Sequence, residues 1–213
     1  ITTVIMLGIL SIFAVIFVIP FVQEWPYQVS FSLEHVKSVI SDPDLLGVYT
    51  NSLFVAVMTA IIGVLISYGA ALVTARSTLN AKLKSVVEAI ALVINTIPGM
   101  VLGIAFMLTF TGTNLQSTFI ILIICDVVHY FSTPYLMVKN SLSKMNASWE
   151  TTAMLMGDSW IKTIIRVVTP NAMSTIIEVF SYYFVNAMVT ISAIIFLAGA
   201  HTMVITTKIK ELQ

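Results

Sequence analysis

Long apolar runs, almost without charge, set the limits on what this sequence can fold into. Thr2–Val22 and Thr50–Ala75 contain no charged residue, and Val86–Phe110, Gln116–Val138 and Thr175–Ala200 hold one each: Glu88, Asp126 and Glu178. Each run is long enough for a helix crossing the hydrocarbon core of a bilayer, which takes about 20 residues. Hydrophobic residues make up 58% of the chain and charged residues 9%, where soluble domains carry about 25% charged. The expected fold is all-α: a polytopic membrane protein with five visible transmembrane helices, residues 1–213 forming one transmembrane domain. A net charge of zero and the lack of any basic run give nucleic acid no footing. Cys125 is the only cysteine, which excludes an internal disulfide and a cysteine-cluster metal site.

In chain order, Thr2–Val22 lacks the basic start and small-residue cleavage site of a signal peptide, so it reads as a retained span. Gln23–Tyr49 is polar, with Glu24, Glu34, Asp42 and Asp44 against Lys37, and with Trp25 and Tyr27 placed as interfacial aromatics. A short helix is predicted over Ser32–Ile40, capped by Ser32 and ended by Ser41-Asp42-Pro43. In the second span Gly63, Ser67, Gly69, Ala70 and Ala71 are small enough to let another helix approach closely. The third span is interrupted by Thr96-Ile97-Pro98-Gly99. Proline removes a backbone donor there, so a kink or break is expected. Non-helical backbone survives at membrane depth only inside protein or beside a water-filled cavity. Pro98 and Gly99 are therefore either pathway residues or a kink made for packing. In the fourth span Asp126 and His129 share a face at i, i+3. An acid at the bilayer centre costs about 2.5–3.5 kcal/mol on insertion scales, so it should face the interior. There it either lines a route or holds helices together, with His129, Tyr130, Tyr182 or Tyr183 as partner. No further histidine or carboxylate stands at ligand spacing for a metal. The fifth span is unusually polar, carrying Tyr182, Tyr183, Asn186, Thr190 and Ser192.

The polar stretch between the last two spans, 139–174, has more structure written into it than a connection needs. Its centre, Glu150–Pro170, reads ETTAMLMGDSWIKTIIRVVTP. Asn146 or Ser148 can cap a first helix, with Glu150 in its first turn, where the dipole favours negative charge. Gly157-Asp158-Ser159 breaks the chain, since glycine accepts the left-handed cap conformation and Asp or Ser can start a new helix. The second helix carries Ile161, Ile164, Ile165 and Val168 on one side and Lys162 and Arg166 on another, with Thr169-Pro170 as its end. Spacing alone leaves open an amphipathic hairpin lying on the membrane surface.

Glu150, Ala153, Gly157 and Pro170 resemble the "EAA" loop of ABC-importer permeases, E-A-A-x-x-x-G followed by I-x-L-P. Here Thr151 and Thr152 stand where E-A is usual, Glu150 lies one residue further from the glycine, and Thr169 replaces leucine. Asn51-Ser52 is similar to the start of the core in these permeases. IPGMVLGIAFMLTF and TISAIIFLAGAHT resemble segments of ferric-iron-type permeases, and the 2-aminoethylphosphonate importers are similar to the chain in overall texture. The resemblance implies a permease subunit of an ATP-driven importer, forming half of a translocation pathway for a small solute brought by an extracytoplasmic binding protein. Ferric iron and 2-aminoethylphosphonate are the implied substrates, with polyamine, thiosulfate and sulfate permeases near relatives. Glu150, Ala153, Gly157, Asp158 and Pro170 would dock on a separate ATPase subunit. Pro98, Gly99, Asp126, His129, Tyr182 and Asn186 are the candidates for lining the pathway, with helix packing as the alternative role. ATP and Mg would belong to the ATPase dimer, and the chain itself would bind no cofactor. A second permease half (identical, different or fused) would complete the route. The implied location is the inner membrane of a bacterium, with the loop 139–174 cytoplasmic. Because such permeases have a sixth span and the chain starts at Ile1, it is expected to be a fragment of a longer one.

Charge gives an independent check. With the hairpin inside, Arg76, Lys82, Lys84, Lys139, Lys144, Lys162 and Arg166 fall inside, and Lys37, Lys208 and Lys210 outside, as the positive-inside rule requires. No G-x-x-x-x-G-K-[ST] loop is present, so ATP hydrolysis by that route is excluded and the chain reads as a transport subunit, not an enzyme. The rival is an ion-coupled secondary transporter using Asp126 and His129. Such carriers usually break helices in both halves, and the sequence displays one Pro-Gly break.

Overall fold

The computed structural model describes residues 2–24, 26–199 and 201–211; Trp25 and Ala200 lie outside them. Two compact units result, Ile1–Tyr49 and Thr50–Gln213. In the first, α1 (Thr2–Val18) runs on as a 3-10 turn to Phe21, and no residue of the helix is buried within the chain. A two-stranded antiparallel ribbon follows, β1 (Val22–Glu24) with β2 (Gln28–Phe31), which the polar composition of this stretch had not suggested. Then comes α2 (Glu34–Ser41), with the Ser32 hydroxyl accepting from the Glu34 amide at 3.2 Å and Asp42 at its C-cap. The Asp42 carboxylate accepts from the amides of Asp44 (2.9 Å) and Leu45 (3.3 Å). That cap, with Pro43 in first position, starts the next helix well before the apolar run begins.

This helix, α3 (Pro43–Arg76), has 34 residues and so extends roughly 50 Å at 1.5 Å per residue, longer than a bilayer core is thick. The second unit adds α4 (Ala81–Ile94), α5 (Gly99–Phe110), α6 (Phe119–His129), α7 (Ser132–Ser143), α8 (Ser148–Leu155) and α9 (Trp160–Thr163). It ends with α10 (Thr169–Asn171), α11 (Met173–Val189) and α12 (Ile205–Glu211). Among the described residues only Thr2–Phe21 and α3 are single helices long and apolar enough to cross a membrane. Three further spans are possible as bent pairs: α4 with α5 (106°), α6 with α7 (54°), and Trp160–Asn171 with α11 (74°).

The expected break at Thr96–Gly99 is the sharpest of these. The other two carry weaker signals. Pro134 sits in the first turn of α7, where its missing N–H costs nothing, and the bend precedes it. Pro170 does not end the hairpin's second helix as expected. Ile164–Val168 forms a π-turn that carries the chain through α10 into α11, with Pro170 in the first turn of α10. The wider turn accommodates the missing donor, and the bend follows it.

Two cores hold this unit. One joins Tyr135, Val138, Leu142, Ile164, Val168 and Val179 near the hairpin, and the other joins Val55, Leu122, Cys125, Ala193 and Ile194. The small residues of α3 divide. A Cβ at Gly63 would come within 2.6 Å of the Tyr183 ring on α11, whereas one at Gly69 would meet nothing within 4 Å. Gly63→Ala is thus expected to lower stability by about 1–3 kcal/mol. Gly69→Ala should leave it unchanged or raise it by up to about 1 kcal/mol through helix propensity. Thermal unfolding of the two variants in detergent measures the difference.

Candidate functional site

The hairpin begins with Asn146, whose side chain accepts from the Ser148 amide at 2.9 Å. Its first arm is α8. The arm is closed by two hydrogen bonds around Gly157, from the Gly157 amide to Met154 O (3.0 Å) and from the Asp158 amide to Ala153 O (2.9 Å). This pairing defines a Schellman end, and it needs a left-handed residue at the glycine position. Gly157 has φ +83°. Ser159 then caps the second arm, accepting from the Lys162 amide at 3.4 Å, and Asp158 pairs with Lys162. At the turn, Met154, Leu155 and Met156 are 67%, 85% and 79% exposed. Three adjacent large apolar side chains thus stand off the body of the unit on a motif that fixes their direction.

The expected hairpin residues have distinct tasks in this geometry. Ala153 and Gly157 make the turn, and Asp158 pairs within the second arm. Pro170 stands further on, in α10, at the approach to the bend. Glu150 points back into the unit, where its carboxylate is gripped by Arg76 at the end of α3 through bonds of 2.6 Å from both Nε and Nη2. In the sequence Arg76 stands out only as one of the inside charges, and Met154, Leu155 and Met156 only as part of the apolar stretch before Gly157. Nearby, Tyr68 bonds to Thr169 (2.8 Å), Tyr135 to Thr74 (3.0 Å), and Lys139 pairs with Glu88.

A second feature lies where two broken spans meet. A cavity of about 150 Å³ is lined by Asn95, His129, Tyr130, Ser132, Thr133 and Tyr182, together with Ile94 and Ile97. The breaks after α4 and α6 both border it. Tyr130 stacks edge-on against His129 at 4.5 Å and Tyr182 at 6.2 Å, and its hydroxyl bonds to Thr190 at 2.5 Å. Pro98 caps α5 in extended conformation. A Cβ on Gly99 would meet the Ser192 hydroxyl at 2.6 Å and the His129 ring at 3.1 Å, so the glycine permits the imidazole to sit against the break.

Two of the expected pathway residues stand apart. Asn186 spends its amide on Tyr182 O, one turn back on the same helix, at 2.7 Å, and does not line the cavity. Asp126 is fully buried, neither oxygen has a hydrogen-bond partner, and it too is absent from the lining. The partners considered for it, His129, Tyr130, Tyr182 and Tyr183, do not bond its carboxyl. Among the described residues no group of three or more His, Cys, Asp or Glu is placed to hold a metal.

The expected fifth helix stops at Val189. Thr190 turns extended, and the described residues of the chain from there to Val204 are non-helical, with Ala193, Ile194 and Leu197 buried. Its end is tied to α3 by Asn51 Nδ2 donating to Met203 O (3.2 Å) and the Ile205 amide donating to the Ser52 hydroxyl (2.7 Å). Thr206 donates to Thr190 O at 2.8 Å. Such backbone fits membrane depth only because protein covers it.

Comparison with known proteins follows this architecture. The fold matches the crystal structure of a bacterial ABC transporter involved in the import of the acidic polysaccharide alginate, with a TM-score of 0.75 over 98% of this chain and 77% of that one, at 15% identity. In sequence the chain is 26% identical to the ferric transport system permease protein FbpB of Actinobacillus pleuropneumoniae, over 98% of this chain. It is 28% identical to the putative ferric transport system permease protein FbpB 1 of Haemophilus influenzae, over 92%. It spans 31% of the length of each. The molybdate/tungstate transport system permease protein WtpB of Pyrococcus furiosus is 26% identical over 79% of this chain and 67% of its own length. Residues 63–211, which hold the hairpin, the cavity and the covered 190–204 segment, match one family model. The chain belongs to the family of binding-protein-dependent transport system inner membrane components.

Proposed function

We propose that the chain forms half of the translocation route of an ATP-driven importer, in a bacterial inner membrane with the hairpin on the cytoplasmic side. The observation that carries this reading is the hairpin itself. It presents Met154, Leu155 and Met156 to the outside on a turn locked by Gly157, and its second arm runs through the π-turn into α11. An ATPase subunit gripping the tip would therefore push on the helix that carries Tyr182 to the cavity. ATP and Mg would sit on that ATPase dimer. A second permease half, as an identical, different or fused chain, would close the route, and a loaded binding protein would dock on the opposite side.

Ferric iron is the favoured substrate, because two of the relatives are named for ferric transport. The molybdate/tungstate relative keeps a small oxyanion as the second choice, and the relatives named here lend no support to 2-aminoethylphosphonate. The cavity's lining of Asn95, His129, Tyr130 and Tyr182 holds no carboxylate, lysine or arginine and suits passage more than tight capture, leaving selection to the binding protein. Family membership sets the ion-coupled carrier aside, although the bends between α6 and α7 and before α11 add to the broken helices that such carriers use.

The test is to co-purify the chain with candidate ATPase subunits in lipid and measure hydrolysis as each loaded binding protein is added. Stimulation by one of them names the substrate. Gly157→Asp is expected to abolish that stimulation while leaving membrane insertion intact. Gly157 holds left-handed backbone at φ +83°, which strains a side chain, and the new carboxylate would stand beside the apolar tip. Unchanged stimulation in the variant counts against the hairpin, and absence of any ATPase association counts against the importer.

A further inference from the structure

We propose that Arg76 is the positioning residue of the coupling hairpin, acting through Glu150, so that Glu150 anchors the hairpin from inside and is not itself a contact for the ATPase. The proposal rests on the hairpin's being the coupling element. Its basis is the completeness of the site around one guanidinium. Arg76 Nε donates to Glu150 Oε1 and Nη2 to Oε2, both at 2.6 Å; Nη2 also donates to Asn146 O at 3.0 Å; Nη1 donates to Met145 O at 3.0 Å and Leu142 O at 3.4 Å. A guanidinium has five N–H donors in a fixed plane, and here each has an acceptor. The side chains of Arg76 and Glu150 are 4% and 14% exposed. Water therefore does little to screen the pair.

The three carbonyls explain why a cation belongs here. They come from the last turn of α7 and the link beyond it, where the helix dipole is negative; Leu142 O also accepts from the Met145 amide at 3.2 Å, so its bond to Arg76 is a second one. Glu150 lies in the first turn of α8, the end that favours an anion. One residue at the end of α3 thus satisfies the end of α7 and the start of α8 together, and it sets the angle at which the hairpin leaves the unit. Lysine could not substitute. It has the charge but offers three donors around a point and cannot fork a carboxylate while reaching three carbonyls. Reversing the pair would fail as well, since a carboxylate at position 76 would face those carbonyls, which are themselves acceptors.

The functional consequence is mechanical. A hairpin that takes its bearing from α3 moves with α3, so force from an ATPase at the tip reaches the long span through the Arg76–Glu150 joint, separately from its path along the second arm into α11. Glu150 is accordingly needed for coupling even though its carboxylate is turned away from the outer surface.

The experiment uses the full chain in lipid nanodiscs as wild type, Arg76→Gln, Glu150→Gln, the double variant and Arg76→Lys. Hydrogen exchange is followed at the amides of residues 145–157. Opening of this buried pair is expected to speed exchange by about tenfold or more in Arg76→Gln and Glu150→Gln. The double variant should be no faster than Arg76→Gln, and Arg76→Lys should remain fast. Wild-type exchange in Arg76→Gln overturns the proposal, and so do effects of the two substitutions that multiply, because they would then act separately. In parallel, binding-protein-stimulated hydrolysis is measured with the ATPase subunit. Stimulation lost in Arg76→Gln and Glu150→Gln alike supports the proposal, and loss in Glu150→Gln alone overturns it. Failure of the wild-type chain to hold any ATPase subunit instead strikes the reading of the hairpin, while the exchange result still decides whether Arg76 positions it.

Discussion

Replacing Gly103 by alanine is expected to cost about 3 kcal/mol of stability, at the upper end of what overpacking a core does. An added Cβ would lie 2.2 Å from Ala193 O and 3.0 Å from Ala193 C. Both are backbone atoms of the non-helical segment 190–204, so no side-chain rotation relieves the contact. The segment cannot retreat easily, because it is pinned at Asn51, Ser52 and Thr206 and its Ala193, Ile194 and Leu197 are buried. Strain should therefore appear as a lowered unfolding temperature in detergent and as faster exchange over 190–204. Unchanged unfolding would show that α5 and this segment do not pack as described. Transport should fall with the same variant if the segment takes part in the route, since the cavity residue Tyr130 is bonded to Thr190.

The sequence announced the spans through their apolar length, and it announced the hairpin through a local chemical pattern: a cap, an acidic first turn, glycine, then a second cap. Those are short-range signals, and α8, Gly157 and Ser159 follow them closely. The Arg76–Glu150 joint is a different matter. Its partners are 74 residues apart, and Arg76 reads locally as one more basic residue at the end of a span. Only the packing of α3 beside α7 makes it the hub of five hydrogen bonds. The ending of α11 at Val189 was hidden for another reason. Thr190–Ala200 is apolar enough to continue a span, and hydropathy measures burial in something oily without separating lipid from protein. Asn51 and Ser52 stand at the start of the apolar run in the sequence, yet they lie more than a turn inside α3 and hold the returning chain. Pro134, in the first turn of α7, is a local signal for the bend between α6 and α7.

Leu155→Gln is expected to weaken association with the ATPase subunit by about 30-fold or more, the effect of removing a hot-spot side chain from the centre of an interface. Folding should be untouched, because Leu155 is 85% exposed and glutamine is a good helix former at the end of α8. The size of the effect follows from the shape of the tip. Met154, Leu155 and Met156 are presented together by a Schellman turn, so burying them orders little that is not already ordered, and binding of a preformed surface avoids much of the usual entropic cost. Membrane contact predicts something else. A hairpin lying on the bilayer surface would insert these three residues among the headgroups, and Leu155→Gln would then lift the hairpin off the lipid while leaving ATPase association at the wild-type level. Titrating the ATPase subunit onto nanodisc-bound wild type and variant separates the two, because a docking surface loses affinity and a lipid-facing one does not. The exposed apolar tip has a use in either case. Its loss of affinity for the ATPase would identify that use as coupling.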